Sequence, residues 1–254
     1  MKEWVLITGA SVGIGREFAR LFAADGDNLV LLARNEARLR ELAEELEKNH
    51  GISTKVLPAD LSRPEEPERI FAELREIPIA TLVNNAGFGW RGQFLRGDRK
   101  LAREMMQVNM DALVQLTHLF AQPMLQRGAG RILNVASTAA FQPGPFTNVY
   151  FASKAFVFSF SVALAEELAG TGVQVTVFCP GGTATEFFAR AGMDGVRNQM
   201  YIMPADKVTR IGYRGFKRGK VIVTAGVLNK LVTIGAKCLP AQLTAKVVRK
   251  LNRE

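Results

Sequence analysis

A tyrosine and a lysine stand four residues apart in the segment Tyr150-Phe151-Ala152-Ser153-Lys154. On a helix, residues at this spacing share one face, so the phenol and the ammonium come close together. An ammonium beside a phenol favours the phenolate and lowers the pKa of the tyrosine from about 10. Such a tyrosine can give or take a proton near neutral pH. By itself, the pair is more typical of an exposed helix surface.

A glycine-rich stretch, Thr8-Gly9-Ala10-Ser11-Val12-Gly13-Ile14-Gly15, lies between an apolar run and an amphipathic run. In a strand–turn–helix context, Gly9 permits the tight turn and Gly13 lets the backbone approach a diphosphate. Gly15 allows the helix to pack against the sheet, and the free N–H groups at the helix start favour an anion. The G-x-x-x-G-x-G spacing differs from G-x-G-x-x-G, and a loop without a ligand is the alternative.

Alternating strands and helices are predicted to position these residues. The predicted strands are Trp4–Ile7, Asn28–Ala33, Thr54–Pro58, Ile79–Val83, Gly130–Val135, Val173–Phe178 and a short Lys220–Val223. The predicted helices are Arg16–Ala24, Asn35–Asn49, one starting at Pro64, the region 99–127 and Tyr150–Ala169. Continuously apolar strands indicate a fold of class α/β, a three-layer, doubly wound parallel sheet in a single domain. Ligands of such sheets bind beyond the carboxyl ends of the strands.

Composition and charge set further limits. The 254 residues are 48% hydrophobic, which suits one large domain, and two cysteines give no disulfide framework. We expect no signal peptide, no membrane-spanning segment and no metal site. Without a disulfide framework, a reducing cytoplasm is the expected location, and peripheral membrane association stays open. Residues 207–254 hold twelve Lys or Arg and one acid. We therefore expect a domain over residues 1–224 and a basic C-terminal extension over 225–254.

Taken together, these motifs resemble the short-chain dehydrogenase/reductase family, in its single-domain branch of about 250 residues. The resemblance covers residues 4 to about 190, in the order and spacing of the family, and the last sixty residues match no motif. The resemblance rests on four motifs: Thr8-Gly9-x-x-x-Gly13-Ile14-Gly15, Asn84-Asn85-Ala86-Gly87, the set Asn109, Ser137, Tyr150 and Lys154, and Pro180-Gly181-x-x-x-Thr185.

The resemblance implies a catalytic role for four residues. Tyr150 would exchange a proton with the substrate oxygen, and Lys154 would lower the pKa of Tyr150 and bind the nicotinamide ribose. Ser137 would hold the substrate oxygen, and Asn109 would position water beside Lys154. The implied cofactor-binding residues are Gly9, Ser11, Gly13, Ile14, Gly15, Arg34, Asp60, Asn85, Gly87, Tyr150, Lys154, Pro180 and Thr185.

The end of the second strand predicts NADP(H) rather than NAD(H). NAD-selective sites place an acid there, which accepts hydrogen bonds from the ribose hydroxyl. This chain has Arg34 instead, a planar cation suited to a 2′-phosphate, and Ser11 could add a hydroxyl donor. Asp60 is expected near the adenine, or else as a cap of the turn after the third strand.

We therefore expect an NADP(H)-dependent oxidoreductase that reduces a small hydrophobic ketone or aldehyde to an alcohol. The alternatives are an NAD-linked alcohol or hydroxysteroid dehydrogenase, and a non-catalytic nucleotide-binding protein on the same fold. A substrate flap is expected over about 183–203, with a second apolar wall after the fourth strand. The apolar candidates are Phe187, Phe188, Met193, Met200, Tyr201 and Met203 in the flap, and Phe88, Trp90 and Phe94 in the wall.

Two larger surfaces are predicted to bind partners. The helices 105–127 and 150–169 are rich in apolar residues, which favours a homodimer or homotetramer. Examples are Leu113, Leu116, Leu119, Phe120, Phe156, Phe158, Phe160 and Val162. The extension carries apolar residues at helical spacing among lysines, so it could lie on an anionic membrane, or it could pack against the body. No nucleic acid is expected, because no aromatic residue follows Phe216.

Overall fold

A computed structural model describes residues 2–187 and 202–252 of the chain. Four of the residues expected in the flap (Phe188, Met193, Met200 and Tyr201) lie outside this described part. The described residues form a seven-stranded parallel sheet with helices on both faces. The fold is thus the predicted doubly wound α/β architecture.

The strand order in the sheet is β3-β2-β1-β4-β5-β6-β9. The strands of this sheet are β1 (Trp4–Thr8), β2 (Asn28–Ala33), β3 (Thr54–Pro58), β4 (Ile79–Asn84), β5 (Gly130–Val135), β6 (Val173–Cys179) and β9 (Ile222–Thr224). Two short parallel strands, β7 (Thr183–Ala184) and β8 (Met203–Pro204), form a second small sheet. The order reverses between β1 and β4, so the connections diverge there and leave a crevice at the carboxyl ends of the strands.

Nine helices lie within the described residues. They are α1 (Gly13–Ala24), α2 (Glu36–His50), α3 (Glu66–Glu73), α4 (Arg99–Met106), α5 (Ala112–Arg127), α6 (Asn148–Glu167), α7 (Ala205–Lys217), α8 (Val227–Cys238) and α9 (Ala241–Asn252). A π-helical turn, Gln107–Asp111, joins α4 to α5. The prediction that α3 starts at Pro64 is wrong by two residues. A hydrogen-bonded turn precedes Glu66, and Pro67 occupies the first turn of the helix instead.

Alternate residues of the strands point to opposite faces of the sheet and create two cores. Ile7 and Leu31 pack with Phe18 and Phe22 of α1 on one face. That core also holds Phe178, which meets the Phe18 ring edge-on at a centroid distance of 6.0 Å. On the other face, residues such as Leu6, Leu82 and Ile132 pack under α3 and α5. The sheet is therefore covered on both sides, which explains why its strands are apolar throughout.

Helix α6 is, within the described ranges, the one helix long and apolar enough to cross a membrane. It nevertheless buries Lys154, Val157 and Ser161 against the body of the protein. The Ser161 hydroxyl also accepts a hydrogen bond from Asn134 in β5, at 2.9 Å. These contacts are those of a helix that covers a sheet.

Candidate active site

The glycine-rich loop between β1 and α1 is fixed to the neighbouring loop after β4. The Thr8 hydroxyl accepts hydrogen bonds from the backbone N–H groups of Asn85 and Ala86, at 3.0 and 2.9 Å. The Asn85 side chain donates in return to the carbonyls of Thr8 and Gly9, at 2.9 and 3.2 Å. These four hydrogen bonds join two loops that are 77 residues apart in sequence, at the edge where the strand order reverses.

The start of α1 has the properties of an anion-binding site. Val12 is its N-cap residue and provides no side-chain cap, and the first turn holds no acid. Gly9 and Gly13 have φ angles of +67° and +56°, a conformation that favours glycine. A Cβ at Gly15 would clash with the Gly9 carbonyl and approach Asn85 Nδ2 to 2.5 Å. The loop therefore needs its glycines, and its N–H groups fit a diphosphate.

The carboxyl ends of β2 and β3 bring Arg34 and Asp60 to the same end of the crevice. Asn35 caps α2 by accepting a hydrogen bond from the Arg38 N–H at 3.0 Å. Asp60 accepts hydrogen bonds from the N–H and hydroxyl of Ser62, at 3.1 and 2.9 Å. Burial raises the pKa of Asp60, but these bonds and the charge of Arg34 outweigh it, so the net pKa is lowered. Asp60 therefore caps its turn and lines the crevice as well.

Helix α6 carries Tyr150 and Lys154 on the side that faces the crevice. Lys154 is 5% exposed, and its ammonium donates to the Val135 carbonyl at 2.9 Å and lies 5.9 Å from the centroid of the Tyr150 ring. Ser137, directly beyond β5, accepts a hydrogen bond from the Ala139 N–H at 3.1 Å, and its hydroxyl interacts with Tyr150. Three groups able to handle protons thus meet at one point.

The sequence predicts a lowered pKa for Tyr150, but in the structure this pKa is shifted in the opposite direction, while the effect of Lys154 on the phenolate stays a prediction. Burial raises the pKa of Tyr150 to about 12, and the interaction with Ser137 only partly offsets this. Burial also lowers the pKa of Lys154 to about 8. The reason is desolvation: removal from water disfavours both the phenolate and the ammonium. Below about pH 8 the pair therefore consists of a neutral phenol and a charged lysine.

The crevice has a volume of about 930 Å³ and is lined by nearly all the residues predicted for the site. They are Gly9, Ser11, Gly13, Ile14, Arg34, Asp60, Asn85, Gly87, Ser137, Tyr150, Lys154, Pro180 and Thr185. Gly15 and Asn109 lie behind its wall. In the described part of the chain, no group of three His, Cys, Asp or Glu side chains could hold a metal ion.

The sequence profile of the short chain dehydrogenase family matches residues 3–194. The chain belongs to this family. Its members are oxidoreductases that act on CH–OH or C=O groups with NAD(H) or NADP(H), and they typically oligomerise. The uncapped start of α1, which lines the crevice, fits the diphosphate of such a cofactor.

Relatives of this short-chain dehydrogenase differ in substrate. It is 42% identical to sulfoacetaldehyde reductase 2 of Chromohalobacter salexigens, over 76% of this chain and 78% of that protein. It is 39% identical to a very-long-chain 3-oxoacyl-CoA reductase of Pyricularia oryzae, over 68% of this chain but only 54% of the relative. A solved short-chain dehydrogenase of Sphingobium yanoikuyae in complex with NADPH superposes with a TM-score of 0.85 at 34% identity and covers 92% of both chains.

Asn109 of this short-chain dehydrogenase sits in the π-helical turn and is 2% exposed. Its amide donates to the Phe88 carbonyl and to the Ser153 hydroxyl, both at 3.0 Å, and its oxygen accepts from the Phe88 N–H at 3.0 Å. π-helical turns are frequent at functional sites. Asn109 therefore joins the loop after β4 to α6, while its expected role in positioning water stays a prediction.

The apolar wall differs from the predicted one. Phe88 and Phe187 line the crevice, and the Phe187 ring lies 5.2 Å from that of Tyr150. Phe94 is instead 55% exposed, and the ring of Trp90 packs over the glycines of its own loop. Met203, which was expected in the flap, is partly buried and packs against the core.

Several residues in and behind the wall of the crevice were not among the predicted site residues. They are Phe151, Gln142, Thr147 and Asn252 in its wall, and Thr8 and Ser153 behind it. Phe151 directly follows Tyr150, so its position on the helix could have been found from the sequence. Asn252 could not, because only the folded chain brings α9 back to the crevice.

Proposed function

We propose that this short-chain dehydrogenase uses NADP(H) to reduce an uncharged, hydrophobic ketone or aldehyde. The observation that carries this proposal is the convergence of Ser137, Tyr150 and Lys154 at one end of a crevice whose other end holds the uncapped start of α1. One end suits a carbonyl group that accepts a proton, and the other suits a diphosphate.

Each of the three groups has a distinct task in the proposed reaction. The bound NADPH supplies a hydride. Tyr150 donates its phenolic proton to the carbonyl oxygen, because its pKa of about 12 keeps the phenol protonated at neutral pH. The Ser137 hydroxyl donates a hydrogen bond to the same oxygen and holds it beside the phenol. The charge of Lys154 stabilises the phenolate that forms, and its other proposed task is to hold the ribose.

Arg34 supports NADP(H), because it lines the crevice at the carboxyl end of β2 and its planar guanidinium suits a 2′-phosphate. Ser11 lines the same end, and the related Sphingobium enzyme binds NADPH. Glu36 also lines the crevice and is the observation that favours the NAD-linked alternative. Its carboxylate accepts hydrogen bonds from Arg40, however, and is therefore partly neutralised.

The charges along the crevice support an uncharged substrate. Among its described lining residues, Arg34 and Lys154 are the only cations, and Glu104 adds a carboxylate to the wall. Both cations already have tasks in the proposed reaction, so the described lining offers no further cation to bind a sulfonate. Phe88, Phe151 and Phe187 line the same crevice and favour an apolar group.

The cofactor experiment measures kcat/KM for NADPH and for NADH, with wild type and Arg34→Asp. We expect wild type to prefer NADPH, and the substitution to lower kcat/KM for NADPH by roughly ten- to a hundredfold. Arg75→Asp is the matched control, because Arg75 is exposed and precedes β4, at the amino ends of the strands and not at the carboxyl ends that form the crevice. Equal or better use of NADH by wild type would refute the cofactor proposal.

The substrate experiment compares oxidation of NADPH with an aryl alkyl ketone, a long-chain aliphatic aldehyde and sulfoacetaldehyde. We expect the two uncharged substrates to have the higher kcat/KM. A preference for sulfoacetaldehyde would refute the proposed class of substrate, but the proposed reaction, reduction of a carbonyl group with NADPH, would still hold. Binding of NADPH with no turnover of any carbonyl or alcohol would favour the non-catalytic alternative.

We further propose that the protein is a homodimer or homotetramer built through α5 and α6. Phe156 is 41% exposed on α6, and its ring stacks on that of Phe160 at an interplanar angle of 3°. Fewer apolar residues of α5 and α6 are available for this interface than the sequence predicted. Leu113, Leu116 and Phe120 are already buried by the chain's own core and need no partner.

A further inference from the structure

We propose that α8 and α9 form a membrane-docking arm, residues 227–252, which binds the anionic surface of a lipid bilayer. The proposal concerns a surface that the crevice does not use. It rests on how the two helices are attached, which of their faces stay exposed, and the sign of their charge.

One face of α8 attaches the arm to the body. Thr233 is buried, and Asn229 donates to the Ala225 carbonyl at 2.7 Å and packs against Gly181 of the loop after β6. The Lys237 ammonium lies over the rings of Phe141 and Phe158, at 4.8 and 5.3 Å from their centroids. Lys237 therefore fastens the helix to the body, unlike the other lysines of the arm.

The opposite face of α8 is apolar and exposed. Val227, Leu231 and Ile234 follow one another at spacings of four and three residues, so they share one side of the helix. Their exposures are 75%, 62% and 59%, which is unusual for side chains that a helix normally buries. The helix thus turns its apolar stripe away from the body.

Helix α9 shows the same arrangement. Thr244 and Val248 are buried, while Leu243, Val247 and Leu251 form an exposed stripe at a spacing of four residues. Lys246, Lys250 and Arg249 are exposed beside this stripe. An apolar stripe bordered by basic residues is the pattern of a helix that lies in the interface of an anionic bilayer.

The sign of the charge selects the partner. Residues 227–252 contain five Lys or Arg and no Asp or Glu. A second copy of the same surface, packed across a two-fold axis, would place like charges opposite one another. A bilayer that contains anionic lipids offers both the apolar interior for the stripes and the negative charge for the lysines. Charge complementarity therefore favours lipid over a second copy of this chain.

The arm also ends at the crevice. Arg91 donates to the Asn252 carbonyl at 2.6 Å, and the Asn252 amide donates to the Pro145 carbonyl at 3.0 Å and to Thr147 at 3.3 Å. Asn252 itself lines the crevice. If the substrate is hydrophobic, which rests on the proposed function, docking would bring the crevice to the surface where that substrate accumulates.

The experiment is co-sedimentation of the full chain with vesicles. One set contains phosphatidylcholine and phosphatidylglycerol in equal parts, and the other contains phosphatidylcholine alone. We expect the chain to sediment with the anionic vesicles at low salt and to be released by high salt. The double variant Leu231→Asp/Val247→Asp should bind at least tenfold more weakly. Leu95→Asp is the matched control, because Leu95 is an exposed leucine outside the arm.

Two further measurements make each outcome decisive. Far-ultraviolet circular dichroism reports whether each variant is folded, and NADPH oxidation is followed separately, so failure of the docking proposal is distinct from failure of the proposed function. Wild type that stays in the supernatant with anionic vesicles overturns the proposal. The proposal is also overturned if Leu95→Asp weakens binding to anionic vesicles as much as Leu231→Asp/Val247→Asp does. If wild type is a dimer in the absence of lipid and Leu231→Asp/Val247→Asp is a monomer, the surface binds a second copy of the chain instead.

Discussion

Tyr150 is the residue on which the proposed reaction depends, and removing its hydroxyl tests that role directly. We predict that Tyr150→Phe lowers kcat by roughly 10²–10⁴-fold, because general acid catalysis is lost, while the Kd of NADPH changes little. Steady-state kinetics and fluorescence titration measure the two quantities. Tyr213→Phe is the control, because Tyr213 donates its hydrogen bond to Asp25, away from the crevice. Near-normal turnover by Tyr150→Phe would refute the mechanism.

Lys154 should set the pH dependence of carbonyl reduction. Its pKa is lowered to about 8 by burial, so it is protonated below that pH and neutral above it. Because the ammonium stabilises the phenolate that forms, kcat/KM for the carbonyl should be constant at lower pH and fall as the pH rises through about 8. Arginine stays charged over this range, so Lys154→Arg should move the fall to higher pH in whatever activity remains. If kcat/KM of Lys154→Arg falls at the same pH as that of wild type, the pH dependence belongs to another group.

Residue types and their spacing were sufficient to predict most of the crevice, but not the residues that support it. The predicted Arg34, Ser137 and Tyr150 follow strands or open helices, so chain order alone brings them to one edge of a parallel sheet. Thr8 was identified only as part of a motif and its supporting role was not predicted, because its hydrogen bonds form only when β4 lies beside β1. The direction of the pKa shift at Tyr150 was also missed, because the spacing of two residues carries no information on burial.

At the scale of elements, the strands were predicted almost to the residue, and the helix boundaries were predicted less well. β2, β3 and β5 have the predicted bounds, because apolar strands between turn residues are short and sharply limited. The π-helical turn within the predicted helix 99–127 was not foreseen. Periodicity cannot reveal it, because one wider turn leaves the surrounding apolar pattern nearly unchanged.

The contact between β1 and α1 can be tested at Gly15. We predict that Gly15→Ala destabilises the fold by about 1–3 kcal/mol and weakens cofactor binding, because the added Cβ would collide with the Gly9 carbonyl. Gly235→Ala in α8 is the control. No atom lies within 4 Å of a Cβ there, so alanine should be neutral or stabilise the helix by roughly 0.5–1 kcal/mol. Thermal unfolding with and without NADPH measures both, and equal behaviour of the two variants would contradict the prediction.

The whole molecule is expected to be larger than one chain. We predict that light scattering at micromolar concentration gives a multiple of the 27.9 kDa mass of the chain. Phe156→Asp should shift the mass toward that of the monomer, because it places a charge on the exposed stacked pair of α6. Val221→Asp is the control, because Val221 has the same 41% exposure but precedes β9. A monomer mass for wild type would rule out the oligomer.

The reversal of strand order between β1 and β4 divides the crevice into two halves with separate origins in the gene. Ser11 and Arg34, the side chains proposed to select the cofactor, and Asp60, expected near the adenine, all fall within the first sixty codons. The proton-handling residues are encoded beyond codon 130. The seam between the halves includes the pairing of β1 with β4, the hydrogen bonds of Thr8 with Asn85, and the packing of α1 on α7 and of α3 on α5, so these contacts must be kept in an exchange. Recombination between related genes at this seam could therefore exchange cofactor preference as one inherited block and leave the catalytic groups untouched.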